Sequence, residues 1–183
     1  MSKAYVFLAD GFEEIEGLTV VDILRRGGVT TEMIAVGDTA EVHGSHGITV
    51  LADRVFAETD FEDASLLVLP GGMPGTLHLG EHKGLTELLK QKADTQVRIA
   101  AICAAPSVLG DLGILSGRKA ACYPGFEPRL TGAECTTEEV AVSGNVTTSR
   151  GMGTAIAFAL ELLGQLKGKE CADKMAASVI YRR

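Results

Sequence analysis

Basic residues are in short supply in this chain: 17 Lys and Arg stand against 24 Asp and Glu, and nowhere do the basic ones cluster. A formal net charge of −7 repels a phosphate backbone, so nucleic acid is excluded as a partner. A long hydrophobic run is missing as well. The opening M-S-K-A-Y-V-F-L-A reaches Asp10 too soon for a membrane span or a secretory core, so the expectation is a cytoplasmic protein with no membrane partner. The four cysteines, Cys103, Cys122, Cys135 and Cys171, form no C-x-x-C pair, and a chain of 183 residues does not need disulfides to fold; reduced thiols are expected. No repeat, low-complexity tract or linker divides it, which predicts one domain over residues 1–183.

Histidine is absent after Cys103, since His43, His46, His78 and His82 all precede it, so the Cys-then-His order of many thiol enzymes is not available. His78 and His82 are four apart, but no acid or cysteine completes a metal set by spacing; they read as surface residues, and no metal is expected. G-M-G-T-A-I at 151–156 imitates a dinucleotide loop without its third glycine or a following acid, so no cofactor is expected either.

What is present centres on V-R-I-A-A-I-C-A-A-P-S-V-L-G, residues 97–110. Val97, Ile99 and Ile102 suit a short buried strand, and Ala104 to Leu109 reads as a helix opening in which Pro106 fits the first turn. Cys103 falls at the change from strand to helix. Free backbone amides and a helix dipole at such an elbow favour thiolate, which makes Cys103 the candidate nucleophile.

Around it, Ala4–Ala9, Thr30–Val36 and Leu66–Leu69 read as strands, and Glu41–Val55 as a hairpin at an edge or interface. Short strands are expected at Lys119–Cys122, Val140–Ser143 and Val146–Thr148. A helix capped by Asp10 with Glu13 should run to Gly27-Gly28 with Ile15, Leu18, Val21 and Leu24 on its core face; others should span His78–Ala93, Thr154–Leu166 and Lys169–Ile180. Strands alternating with helices predict an α/β three-layer sandwich on a mostly parallel sheet, where ligands collect at the carboxyl ends of strands. The Asp10–Glu16 loop, Gly71-Gly72 and Cys103-Ala104 would then converge.

Glu13 and Glu14 read as charges favoured at a helix start. Glu16 is different. Beside a thiolate, repulsion and burial would raise its pKa and leave a neutral acid able to donate to sulfur. The amides of Gly72 and Ala104 could hold a developing oxyanion.

Quoted in order, A-D-G-F-E-E-I-E, V-L-P-G-G, A-A-I-C-A-A-P and T-S-R-G-M-G-T make the chain resemble the ThiJ/PfpI family of the class I glutamine-amidotransferase-like superfamily, in particular its parkinsonism-associated deglycase branch. The resemblance implies a flavodoxin-like fold with a nucleophile elbow, a homodimer, catalytic Cys103 and Glu16, oxyanion donors Gly72 and Ala104, and a pocket that includes Gly71, Tyr123 and Arg150. It departs in three places: Ala104 stands where protease-like members carry His, Tyr123 precedes Pro124 where the branch often has His, and Met152 replaces a common Pro. The expected activity is that of a cofactor-free hydrolase of reactive carbonyls, acting as protein deglycase or glutathione-independent glyoxalase on small aldehydes or on glycated amines and thiols. The alternative is a redox-sensing stress protein or chaperone that uses oxidation of Cys103. An older family label, thiazole monophosphate biosynthesis, finds no chemistry in these residues. The dimer surface is expected on the first helix, around Val20, Leu24, Arg25 and Arg26.

Overall fold

The computed structural model describes residues 2–182. In chain order the elements are β1 (Lys3–Leu8), α1 (Glu14–Arg26), β2 (Thr30–Ala35), β3 (Glu41–His43), β4 (Thr49–Leu51), β5 (Arg54–Val55), β6 (Leu66–Leu69), α2 (Gly75–Glu81), α3 (Lys83–Ala93), β7 (Arg98–Ile102), α4 (Pro106–Asp111), β8 (Lys119–Ala120), β9 (Glu134–Cys135), β10 (Val140–Ser143), β11 (Val146–Ser149), α5 (Ala155–Lys167) and α6 (Lys169–Ser178). Seven strands form one sheet in the order β10-β11-β7-β6-β1-β2-β5. Only β10 runs antiparallel to its neighbour.

Apolar residues alternate across this sheet, so each strand feeds both faces. Tyr5, Leu67, Ile99 and Val146 lie in register across four parallel strands and face one core, which Leu79, Leu85, Leu89 and Val108 of α2 to α4 complete. Val6, Val68, Ala100 and Ile102 face the other, against Val20, Val21 and Leu24 of α1 and Phe158, Leu162 and Leu163 of α5. The result is the flavodoxin-like three-layer α/β sandwich. Connections leave β1 in opposite directions, to β2 on one side and later to β6 on the other. The carboxyl ends of β1, β6 and β7 therefore open onto one crevice, the usual ligand position in such sheets.

Several sequence expectations are corrected. Asp10 does not cap α1; its carboxylate accepts the His43 N–H at 2.8 Å, and Glu13 is the cap, accepting from Glu16 N at 2.7 Å. The buried apolar positions of α1 are Gly17, Val20, Val21, Ile23 and Leu24, while Leu18 is half-buried and Ile15 is 49% exposed. Val20 and Leu24 are buried within the chain and cannot form a dimer surface. The single helix expected over His78–Ala93 is two, broken where His82 leaves helical backbone and its Nδ1 accepts the Leu85 N–H at 3.0 Å. Lys119 and Ala120 pair with Glu134 and Cys135, which gave no strand signal, and stay outside the main sheet. The hairpin β3–β4 also stands apart from the main sheet. Its turn docks on the loop after β1, where Gly11 N–H reaches His43 O at 2.7 Å and Ser45 N–H reaches Phe12 O at 2.8 Å.

Candidate active site

β7 delivers Cys103 into a backbone conformation that L side chains rarely adopt, with φ of +66°. The main chain there is held from both sides: Cys103 N–H donates to Ser149 O at 3.1 Å, and its carbonyl accepts the Tyr123 N–H at 2.8 Å. Pro106 opens α4 as expected, but three residues beyond the cysteine and for only six residues.

Glu16, in the first turn of α1, is 1% exposed and points back at this elbow. Its Oε2 accepts the Gly71 N–H at 2.8 Å, while Oε1 is enclosed and has no conventional partner. The Cys103 thiol lies close enough to the same carboxyl for each group to shift the other's titration. Burial pushes Glu16 up to about 7, against the Gly71 amide and the Cys103 thiol that favour its charge. Burial also pushes the Cys103 thiol up, to about 12, with the charge of Glu16 adding to the effect. The amides of Ala104 and Gly72 do aim at the sulfur and pull the other way, but they are outweighed. A depressed thiol was expected from the elbow alone; a six-residue helix and an enclosed, acid-paired sulfur reverse that expectation. The pair gives up a first proton near neutrality and resists losing a second. Its single negative charge therefore rests on the carboxylate while the remaining proton stays on sulfur.

The two glycines after β6 are required by this closeness. A Cβ on Gly71 would sit 2.6 Å from Cys103 Cβ and 2.7 Å from Glu16 Oε2. Gly72 has φ of +94°, and a Cβ there would meet Glu13 N at 2.3 Å. Tyr123 is half exposed, and its ring lies against Gly151, where a Cβ would be 3.4 Å from Cδ2. Gly151 also faces Glu16 Oε1, 3.9 Å from the same position. Arg150, one residue earlier, is partly buried, with an enclosed Nε that no acceptor among the described residues reaches. Cys103, Glu16, Gly71, Gly72, Ala104 and Tyr123 thus meet at one place, with Arg150 beside them.

Glu14 is more than a charge at a helix start. It accepts from His46 N at 2.7 Å and His46 Nδ1 at 2.9 Å, and the amide of Ile48 adds to these. Burial alone would raise it, but the His46 ring and these amides outweigh burial and bring it down to about 2. The contact ties the β3–β4 turn to the turn of α1 that carries Glu16, across 32 residues of chain. With Glu13 these side chains form the only His/Cys/acid cluster of metal-site dimensions among the described residues, and its imidazole is already hydrogen-bonded. His78 is a residue of the surface, and its Nδ1–H donates to Asp10 O at 2.8 Å. A cavity of about 500 Å³ beyond β1 and β2 is bordered by Asp10, Asp38, Glu41 and His78, not by Cys103 or Glu16. No helix among the described residues is long and apolar enough to cross a membrane.

Residues 2–165 match the model of the DJ-1/PfpI family. Protein DJ-1 homolog B of Arabidopsis thaliana is 37% identical over 98% of the chain, which spans only 42% of that relative. The glutathione-independent glyoxalase DJR-1.2 of Caenorhabditis elegans is 34% identical over 89% of the chain and 87% of its own length. Among solved structures, oxidized Toxoplasma gondii DJ-1 superposes with a TM-score of 0.96 at 38% identity, covering all of both chains. The fold, the elbow and these likenesses agree: the chain belongs to the DJ-1/PfpI family, on its DJ-1-like side.

Proposed function

We propose that this chain is a cysteine-dependent hydrolase of small reactive carbonyls, working as a glutathione-independent glyoxalase or as a deglycase of early glycated amines and thiols. The observation that carries this reading is the Cys103–Glu16 pair, an enclosed carboxyl raised to about 7 beside an enclosed thiol that the amides of Gly72 and Ala104 face. A nucleophile, a proton carrier poised near neutrality and two oxyanion donors are the parts that carbonyl addition requires.

With methylglyoxal the sequence of steps is as follows. The thiol proton passes to Glu16 as Sγ bonds to the aldehyde carbon, and the carbonyl oxygen becomes an oxyanion facing the Gly72 and Ala104 amides, then takes up a proton. Glu16, again a carboxylate, removes the hydrogen from that carbon and returns a proton to the neighbouring ketone carbon. This converts the hemithioacetal into the thioester of lactate. Water cleaves the thioester, restoring the thiol and releasing lactate. One methylglyoxal and one water give one lactic acid, with no net oxidation. The name of the Caenorhabditis elegans relative supports this chemistry. The test is methylglyoxal consumption matched to lactate release, with neither glutathione nor metal added. Wild type should turn over and Cys103→Ser should not; equal rates would end the proposal.

A second reading uses the same residues: oxidation of Cys103 by peroxide, with protonated Glu16 donating to the sulfinate, as the oxidized state of the Toxoplasma gondii relative suggests. In either case we place a second copy of the chain on the apolar surface around Ile15, Ile48 and Ile156, which are 49%, 52% and 38% exposed. That surface borders a shallow cavity of about 440 Å³.

A further inference from the structure

Tyr123 is anchored to the elbow by its main chain and leaves its ring at the surface of the site. Its N–H donates to Cys103 O at 2.8 Å, the Ala121 N–H just before it donates to Thr148 Oγ1 at 2.8 Å, and Cys122 between them is buried in the core, so the ring springs from a fixed point. The ring itself stays half exposed. Facing it is Gly151, whose N–H donates to Thr154 Oγ1 at 3.1 Å and whose carbonyl accepts the Thr154 N–H at 2.8 Å. Both walls of this part of the site are therefore held in place.

The backbone does not demand a glycine at Gly151. With φ of 164° and ψ of −171° the residue is extended, a conformation open to any side chain. What the glycine provides is space. A carbon at its Cβ position would touch Tyr123 Cδ2 at 3.4 Å, Tyr123 Cε2 at 3.9 Å and Glu16 Oε1 at 3.9 Å, ordinary contacts throughout. Room for a carbon thus borders both an aromatic ring and the carboxyl of the reacting pair, and Oε1 there is enclosed without a hydrogen-bond partner among the described residues.

We propose that this space, with the Tyr123 ring as its wall, receives the substituent carried by the carbonyl substrate and favours a flat, conjugated one. A ring held in place gains offset or edge-to-face contact with a planar aromatic group and loses little freedom in doing so, whereas a methyl group gains only simple contact. This inference rests on the carbonyl reading above and narrows it to aryl α-oxoaldehydes in preference to methylglyoxal. Tyr123 and Gly151 then set specificity without touching the bonds that change.

The experiment compares phenylglyoxal with methylglyoxal, each of which takes up one water, to give mandelate and lactate respectively. Wild type should favour phenylglyoxal in kcat/KM. In Tyr123→Ala the ratio of the two kcat/KM values should fall by roughly fivefold or more through KM, the scale of one aromatic pair, and Tyr123→Phe, which keeps the ring, should hold it. Gly151→Ala, which fills the space with a methyl group on an unstrained backbone, should lower the ratio as well. A ratio that does not change in Tyr123→Ala overturns the proposal, and continued methylglyoxal turnover would then leave the carbonyl reading in place. A readout without turnover separates the two ideas: mandelate should slow alkylation of Cys103 by iodoacetamide at lower concentration than lactate does in wild type, and Tyr123→Ala should lose that preference. If mandelate is preferred in this way while neither aldehyde is consumed, the aryl site stands and the carbonyl reading falls. If the two acids protect wild type equally, or the preference survives in Tyr123→Ala, the Tyr123 ring is not the wall of a substrate site.

Discussion

The amide of Gly71 holds Oε2 of Glu16 at 2.8 Å, while Oε1 is enclosed beside Gly151 with no hydrogen-bond partner among the described residues. The carboxyl thus has an assigned donor for one oxygen and keeps the other open to a proton. Its geometry does not depend on the long side chain finding a rotamer for itself, because the β6 loop and the first turn of α1 are joined a second time, by Glu13 N–H to Gly71 O at 2.8 Å. Such preorganisation is what a proton carrier needs if its pKa is to be set by enclosure.

Replacing Gly71 with Ala should therefore damage the site more than a single methyl suggests. The new Cβ would press on Cys103 Cβ at 2.6 Å and on Glu16 Oε2 at 2.7 Å, and both belong to the reacting pair. Overpacking of this kind costs about 1–3 kcal/mol, so the protein should still fold with a lower melting temperature. Carbonyl turnover should drop by more than the loss of folded protein explains. A Gly71→Ala protein with wild-type turnover and melting temperature would show that the closeness is not needed.

Much of this site was readable in the sequence, because strands buried on both faces announce themselves as short apolar runs and the catalytic loops follow them directly. β1, β6, β7 and the Cys103 elbow were all legible in this way. What was not legible depends on partners distant in the chain. Glu14 looked like any helix-start acid until His46 was found against it. His82 breaks a helix by capping the next one, and only the backbone shows which of its roles prevails. The outward turn of Ile15 follows from α1 placing its glutamates, not its first isoleucine, against the loops it covers. The direction of the Cys103 shift was misjudged because an elbow motif gives the amides but not the degree of enclosure.

The two buried glutamates should shape stability in opposite pH ranges. Glu16 titrates higher when folded, about 7 against an ordinary 4.5, chiefly through burial. The folded state then holds the proton more tightly, so the contribution is complete below 4.5 and is lost as pH rises to about 7. Glu14, which burial would raise but which the His46 ring and backbone amides bring down to about 2, contributes above 4.5 and loses that contribution as pH falls toward 2. Urea midpoints should decline on both sides of about pH 5. Glu16→Gln should remove the decline toward neutral pH, a gain on the order of 1–3 kcal/mol at about pH 8, and Glu14→Gln should flatten the acid side. Unchanged profiles in both variants would contradict the assigned environments.

Apolar exposure at Ile15, Ile48 and Ile156 predicts association through that face. Ile48→Glu should shift sedimentation at micromolar concentration toward the mass of one chain, without lowering the melting temperature of that single chain. A wild-type protein that sediments as one chain at every concentration would refute the prediction.

Glu16→Gln gives the sharpest test of the shared proton, because it should move two measurements in opposite directions. Glutamine keeps the size of the side chain but cannot give and take a proton, so carbonyl turnover should fall by roughly 10²-fold or more, the usual scale for a general acid–base. The charge of Glu16 is also one of the causes that hold the Cys103 thiol high, after burial. Removing it should lower the thiol pKa, and the amides of Ala104 and Gly72, which already favour the thiolate, remain in place. Alkylation of Cys103 by iodoacetamide near neutral pH should then be faster in the variant than in wild type, while exposed Cys135 reacts at the same rate in both. A glutamate that only supports the structure predicts the reverse, with turnover preserved and the thiol unchanged or slower. With Tyr123 where a histidine might have shared the work, a folded Glu16→Gln protein that still converted methylglyoxal at the wild-type rate would leave the mechanism without a proton carrier.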